Sequence, residues 1–134
     1  MIEIVIPGYR QLHLHHLVMD YNGTLAQDGR LLDGVRPRLD SLADRLRLHV
    51  VTADTFGLAR EELTGVRCEL AILPGDEQAT AKLAYIRDLH PDGVAAIGNG
   101  RNDRLMLEAV ELGIAVVQGE GAAFEAISAA DVVM

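Results

Sequence analysis

The residues best suited to chemistry in this chain are Asp20-Tyr21-Asn22-Gly23-Thr24, which follow directly on the apolar run Leu17-Val18-Met19. That run reads as a buried strand, so Asp20 falls at its carboxyl end, just before a glycine-containing turn. In an open α/β sheet this edge is where ligands bind. A carboxylate there can attack phosphorus and can hold a divalent cation. A second segment, Gly98-Asn99-Gly100-Arg101-Asn102-Asp103, follows another short apolar run. Each segment alone has a plainer reading. Asp and Asn-Gly are ordinary turn residues, and Gly-Asn-Gly before Arg-Asn-Asp would serve as a tight strand-to-helix turn with Asn102 or Asp103 as helix cap.

The rest of the pattern has to position these residues. Ile2 to Ile6 and Leu12 to Met19 predict two strands joined through Pro7-Gly8-Tyr9-Arg10 as a hairpin. Val35, Leu39, Leu42 and Leu46 have helical spacing, with Pro37 in the first turn. Arg47 to Thr52 is the next strand, followed by a helix over Phe56 to Leu63 that Gly65 ends, and by a strand over Glu69 to Leu73 closed by Pro74-Gly75. Asp76 is placed to cap a helix over Glu77 to Leu89, with Pro91 just beyond. Then come a strand over Val94 to Ile97, a helix over Asp103 to Leu112 with Gly113 after it, and a strand over Ile114 to Val117. A helix over Ala122 to Ala129 leads into Val132-Val133. Strands alternating with helices imply parallel βαβ units with right-handed crossovers. The expectation is one domain over residues 1–134, a doubly wound, mostly parallel α/β sheet with an N-terminal β-hairpin. The chain ends inside or just after its last strand, which leaves room for a further helix in a longer chain.

In order along the chain, Asp20, Thr52, Lys82 and the 98–103 loop resemble the four motifs of the haloacid dehalogenase-like (HAD) superfamily, which includes the P-type ATPases. The resemblance implies that Asp20 is a nucleophile forming an aspartyl-phosphate. It implies that the Thr52 hydroxyl and the Ala53 amide hold phosphate oxygens, together with Asn102, and that Lys82 offsets charge on the nucleophile and the transferring phosphoryl group. It also implies Mg²⁺ held by Asp20, the Asn22 carbonyl, Asn99 and Asp103. Alone, Thr52 would be a strand residue and Lys82 a solvated helix lysine. The chemistry agrees with the resemblance: phosphoryl transfer asks for positioning and charge stabilisation, and Mg²⁺ favours one or two carboxylates with substrate oxygens and water.

This chain departs from the pattern at two positions. The superfamily's phosphatases carry an acid/base aspartate two residues after the nucleophile, where this chain has Asn22, which has no proton to exchange. The metal loop ordinarily begins with an aspartate where this chain has Asn99, so weaker metal affinity follows, and Asn99→Asp is expected to tighten it. Only Leu25 to Asp33 separates the first motif from the first helix, and only Pro74-Gly75 closes the third strand, so neither place can hold a cap domain. Thr52-Ala53-Asp54 resembles the Thr-Gly-Asp of P-type ATPase phosphorylation domains, which makes the chain similar to a soluble, capless P-type-ATPase-like protein. An open site of this kind implies a large phosphorylated substrate, or a second subunit or protein partner that covers it.

Composition narrows the choice. Hydrophobic residues make up 49% and charged residues 24% of the 134, as in a globular chain. The formal net charge of −8 opposes binding to nucleic acid and to anionic membranes. Cys68 is the single cysteine and the amino terminus lacks a basic leader, which together point to a cytoplasmic protein. His13 and His15 share one strand face and His16 takes the other, which argues for packing over a zinc site. The function expected is a Mg²⁺-dependent phosphatase acting through Asp20 and slowed by Asn22. The alternative is a catalytically weakened domain of the same fold that binds phosphate or a protein partner and regulates it.

Overall fold

Ten strands and five helices follow one another along residues 1–134 of the computed structural model. The first are β1 (Ile2–Ile6), β2 (Arg10–Leu14), β3 (His16–Met19), β4 (Ala26–Gln27) and β5 (Arg30–Leu31), followed by α1 (Val35–Leu42). Next come β6 (Arg47–Thr52), α2 (Ala59–Glu62), β7 (Glu69–Ile72), α3 (Gln78–Leu89) and β8 (Val94–Gly98). A 3₁₀ turn over Arg101–Asp103 runs into α4 (Arg104–Ala109), and β9 (Leu112–Ala115), α5 (Phe124–Ala129) and β10 (Val132–Val133) complete the chain. Six strands form one parallel sheet in the order β10-β9-β8-β3-β6-β7, and β1 and β2 form an antiparallel hairpin beside it. The expected α/β architecture with an N-terminal hairpin is therefore the one observed.

Alternation along the strands builds two cores. Leu17, Met19, Leu48 and Val50 face α1, α2 and the hairpin, packing with Leu12, Leu14 and Leu39. Val18, Val51, Val94 and Ala96 face the other way, onto Ile86 of α3, Met106 and Leu107 of α4 and Ala126 of α5. The strand β3 lies at the centre. From it the chain moves outward to β6 and β7 and then returns to β8 on its other side, so the topological switch falls between β3 and β8, at the end of Asp20's strand.

Several boundaries differ from the sequence reading, each for a local reason. The expected strand over Leu12 to Met19 is two strands broken at His15. The His15 and His16 N–H groups both donate to the Gly93 carbonyl, at 2.8 and 3.1 Å, and this hands the chain from the hairpin to the sheet. Gly113 lies inside β9 and does not end a helix: its N–H donates to Asp131 Oδ2, and a Cβ there would run into the Leu107 carbonyl. Asp76 does not cap α3, whose N-cap is Glu77, with no side-chain hydrogen bond. α1 stops at Leu42 and leaves Leu46 buried beyond it, while α2 begins only after the left-handed residues Asp54 and Gly57. α5 begins at Phe124 because Ala123 is extended.

No cap domain is present. Between β3 and α1 stands only the small antiparallel pair β4–β5, too short to show in the sequence pattern, and residues 73–77 join β7 to α3. No helix is long and apolar enough to cross a membrane.

Candidate active site

Parallel strands deliver their carboxyl ends to one edge, and here three adjacent strands deliver the chemistry. Asp20 follows β3, Thr52 ends β6 and Asn99 follows β8, while β3 pairs with both of the others in register. The Asp20 N–H donates to the Ile97 carbonyl at 2.9 Å, which extends the β3–β8 ladder by one residue and fixes Asp20 against the Gly98–Asp103 loop.

Lys82 reaches this edge from α3 and is 1% exposed, so the reading of it as a solvated lysine does not hold. Its ammonium donates to Asp20 Oδ1 at 2.8 Å, to Asp103 Oδ1 at 2.7 Å and to Asn102 Oδ1 at 3.4 Å. Three donors are all an ammonium has, so Lys82 is fully committed. Asp103 is equally committed. It is completely buried, and its Oδ2 accepts from the Asn99 and Gly100 N–H groups at 3.1 and 2.9 Å. Gly98 is required beside it, because a Cβ there would sit 2.5 Å from the Asp103 carboxyl carbon. Asp103 therefore ties the loop to Lys82, and both its oxygens already have partners. Asn102 makes its contact with Lys82 from an exposed position.

Asp20 differs from Asp103 in having an oxygen almost free. The one side-chain bond its Oδ2 accepts is long, 3.4 Å from Thr24 Oγ1, and the adjacent Tyr21 backbone N–H also faces the carboxylate. Two carboxylates share one ammonium, and the imbalance shows in the proton affinities. Burial, then the nearby Asp103 charge, push Asp20 up to about 6, and Lys82 offsets this only in part. Burial acts to lower the Lys82 pKa, but Asp20 and Asp103 outweigh it and the ammonium is held above its ordinary value.

At the end of β6, Thr52 is buried and its hydroxyl oxygen accepts from the Asp54 N–H at 2.9 Å, leaving the hydroxyl proton available to a ligand. The Ala53 N–H donates to no backbone carbonyl outside the regular elements. Asp54 is in the left-handed region, at φ 54°, and its Oδ1 accepts from the Ala59 N–H at 3.1 Å, so it organises the start of α2.

The side chain of Asn22 is turned to a structural task. Its Oδ1 accepts from the Gly29 N–H at 2.9 Å, and the Tyr21 hydroxyl donates to the Gly29 carbonyl at 2.8 Å. The β4–β5 pair is thereby fastened over the turn after Asp20. The Asn22 backbone carbonyl accepts no bond from the turns and loops, which leaves it free for a cation. Asn99 is 5% exposed, and its amide nitrogen donates to Glu120 Oε1 and to the Gly121 carbonyl, each at 3.2 Å.

No group of three or more His, Cys, Asp or Glu side chains is placed to hold a metal ion. A cation at this edge would rest on the Asp20 carboxylate together with two neutral oxygens, the Asn22 carbonyl and the Asn99 amide oxygen. Of the four expected metal-binding residues, Asp103 is the one whose oxygens are taken up by the protein. An all-oxygen set with one carboxylate and surplus negative charge fits Mg²⁺. The histidines do not converge: His13 is 3.2 Å from Glu3 on the hairpin, whereas His16 turns inward to His49.

Three contributors were not singled out from sequence. Thr24 faces Asp20, and its place in the first motif was the available signal. Glu120 and Gln118 lie far along the chain; the Gln118 amide donates to the Gly23 and Thr24 carbonyls at 3.2 and 2.8 Å. Nothing in Gln118-Gly119-Glu120-Gly121 marks it as part of a site.

Comparison with known proteins gives a consistent picture. A sequence model described as haloacid dehalogenase-like hydrolase matches residues 77–134. The uncharacterized protein MJ0072 of Methanocaldococcus jannaschii is 41% identical over 42 residues, which are 31% of this chain and 96% of that protein. Among solved structures, the cobalt-bound form of the deoxy-D-mannose-octulosonate 8-phosphate phosphatase of Haemophilus influenzae superposes with a TM-score of 0.71 at 18% identity, covering 91% of this chain and 78% of that one. A phospho-aspartyl intermediate analogue of phosphoserine phosphatase superposes with a TM-score of 0.69 at 13% identity, covering 91% and 93%. At these identities the superpositions speak for the fold.

Proposed function

We propose that this chain, whose residues 77–134 match a model described as haloacid dehalogenase-like hydrolase, is a Mg²⁺-dependent phosphatase of that kind in which Asp20 is the nucleophile. The observation that carries this is the asymmetry at Lys82: Asp103 has both oxygens bound, while the one side-chain contact of Asp20 Oδ2 is a long one, 3.4 Å from Thr24. An oriented carboxylate with one open oxygen at a switch point is what an in-line attack needs. The phosphatases among the structural neighbours, one with cobalt bound and one an aspartyl-phosphate analogue, support the reading.

In this reaction Asp20 Oδ2 forms a bond to phosphorus as the bond to the ester oxygen breaks. The Thr52 hydroxyl, the Ala53 N–H and the side chain of Asn102 take the non-bridging oxygens. Lys82 holds the unused Asp20 oxygen and balances the charge that Asp103 keeps beside it. A bound Mg²⁺ would supply positive charge against the phosphoryl oxygens. Asn22 has no proton to give, so the leaving oxygen takes one from water, and water then cleaves the aspartyl-phosphate to release phosphate and restore Asp20. The test is turnover of aryl and alkyl phosphates with and without Mg²⁺, with acid-quench trapping of phosphoprotein. An aryl phosphate, whose leaving group needs little protonation, is expected to be the better substrate, with phosphoprotein accumulating. Absence of both turnover and phosphoprotein in Mg²⁺ would sink the proposal.

A second reading has one observation behind it. The Asn22 side chain is bonded to Gly29 and does the work of a fastener, which suits a domain that binds phosphate or a protein partner and no longer turns over. Asn22→Asp separates the two. One carboxylate oxygen can keep the Gly29 bond while the other acts as acid/base, so a slow enzyme should gain about 10²-fold or more in hydrolysis. A binding domain should gain nothing.

A further inference from the structure

The Asn99 amide is held in one orientation by its neighbours. Two acceptors, Glu120 Oε1 and the Gly121 carbonyl, lie on its nitrogen side at 3.2 Å, and a half-turn of the amide would set its oxygen against both. The main chain of Asn99 is pinned too: its N–H donates to Asp103 and its carbonyl accepts from the Ala123 N–H at 2.8 Å. The amide oxygen accepts no hydrogen bond and so stays open. The 118–121 segment that brings Glu120 here is clamped to the turn after Asp20 by Gln118. Gly23, at φ 83°, permits this close approach, because a Cβ there would run into both the Asn99 amide and the Glu120 carboxylate.

We propose that Glu120 is a positioning residue that presents the Asn99 oxygen to the cation, and that Asn99 and Glu120 form a matched pair in which a carboxylate at position 99 is compatible only with an uncharged residue at 120. The cation part rests on the phosphatase reading; the pairing does not. The consequence reverses the sequence-based expectation for Asn99→Asp. That substitution sets a second carboxylate where the amide donor stood, within hydrogen-bond distance of Glu120 and of the Gly121 carbonyl, near the charges of Asp20 and Asp103. Like charges so placed disfavour each other, and the new carboxylate would turn away from the orientation a cation needs.

The experiment uses the whole chain in four forms, wild type, Asn99→Asp, Glu120→Gln and the double variant, with Glu120→Ala added. Tm is measured without metal, and Mg²⁺ alone is titrated calorimetrically. Asn99→Asp should lower Tm more in the wild-type background than in the Glu120→Gln background, a coupling the cycle isolates. Asn99→Asp alone should bind Mg²⁺ no tighter than wild type, whereas the double variant should bind it tighter. Glu120→Ala should weaken Mg²⁺ by about tenfold, the scale for a group that orients a metal ligand, and Glu120→Gln, which keeps an acceptor for the amide, should recover most of that loss. Additive Tm changes, or equal tightening by Asn99→Asp with and without Glu120→Gln, would overturn the pairing. If wild type binds no Mg²⁺, the metal in the phosphatase reading falls and with it the presenting role of Glu120, and the Tm cycle decides the pairing.

Discussion

Helix α3 carries two polar clusters about one turn apart, the buried Lys82 with Asp20 and Asp103, and the half-buried Tyr85 with the buried His49 and the half-buried His16. In the second, His49 Nδ1 is 2.7 Å from the Tyr85 hydroxyl and His49 Nε2 is 3.0 Å from His16 Nδ1. A neutral imidazole has one donor and one acceptor, and both ring nitrogens of His49 are used, with the exposed Glu69 carboxylate 3.6 Å from Nδ1 at the cluster's edge. The first cluster has two carboxylates for one ammonium and one carboxylate oxygen nearly open. Both are anchored by a buried side chain, Lys82 in one and His49 in the other. Surplus buried charge and a nearly unsatisfied carboxylate oxygen, at the carboxyl edge of the sheet, distinguish the cluster that can act on a ligand from the one whose central ring is fully partnered.

The comparison breaks most sharply at Asp20. Asp20→Asn should reduce phosphatase turnover by about 10³-fold or more, since a carboxamide is a poor nucleophile of the same shape. The protein should nevertheless be at least as stable as wild type at pH 7, because the change removes the charge that burial and Asp103 oppose. Turnover assays beside thermal melts check both halves. Normal turnover in a well-folded Asp20→Asn protein would falsify the assignment.

Lys82→Met tests the same cluster from its centre. It leaves two carboxylates buried without their cation, and removal of one partner from a buried ionic group costs about 3–5 kcal/mol. Denaturant unfolding at pH 7 should show a loss of that order, which should shrink at acid pH where Asp20 is protonated. The His49 cluster should respond less. His49→Phe keeps the ring but strands the Tyr85 hydroxyl and His16 Nδ1, a loss of about 1–3 kcal/mol, and turnover with saturating substrate should stay within about twofold of wild type, by analogy with substitutions away from the chemistry. A large fall in turnover from His49→Phe would erase the distinction drawn between the two clusters.

The smallest effect is in the pH dependence, where the clusters oppose each other. Asp20 is held up from 3.8 to about 6, so between those values the folded chain keeps a proton that the unfolded chain releases, and stability falls as pH rises. Burial, the largest cause, lowers His16 and His49 below the ordinary 6.5. Below that value the unfolded chain holds protons that the folded chain refuses, so stability falls as pH drops. In metal-free melts from acid to neutral pH, Asp20→Asn should make the protein more sensitive to acid and His49→Phe less so. Matching slopes for the two variants would mean that neither cluster titrates as its burial implies.

Much of the fold was legible because periodicity reports burial. The runs Leu17 to Met19, Arg47 to Thr52 and Val94 to Ile97 read as strands, and their order along the chain forced parallel crossovers. Boundaries were less legible. His15 breaks a strand through bonds to Gly93, distant in sequence, and Gly113 serves packing against Leu107 where a helix end was expected. Local propensity carries neither fact.

For the site, the sequence by itself determined which groups are available: Asp20 at a strand end, a threonine at another, a lysine on the helix between, and a glycine-rich loop with two asparagines and an aspartate. It determined also that Asn22 and Asn99 stand where carboxylates are usual. Only the tertiary structure decided how these groups share one another. Asp103 is consumed by Lys82 and two backbone N–H groups, the Asn22 side chain is consumed by Gly29, and Asn99 is turned by Glu120. The reason is that a hydrogen-bonding atom's freedom depends on every partner that folding brings to it, and those partners lie as far apart in the chain as Asp20 and Lys82 or Gly23 and Gln118.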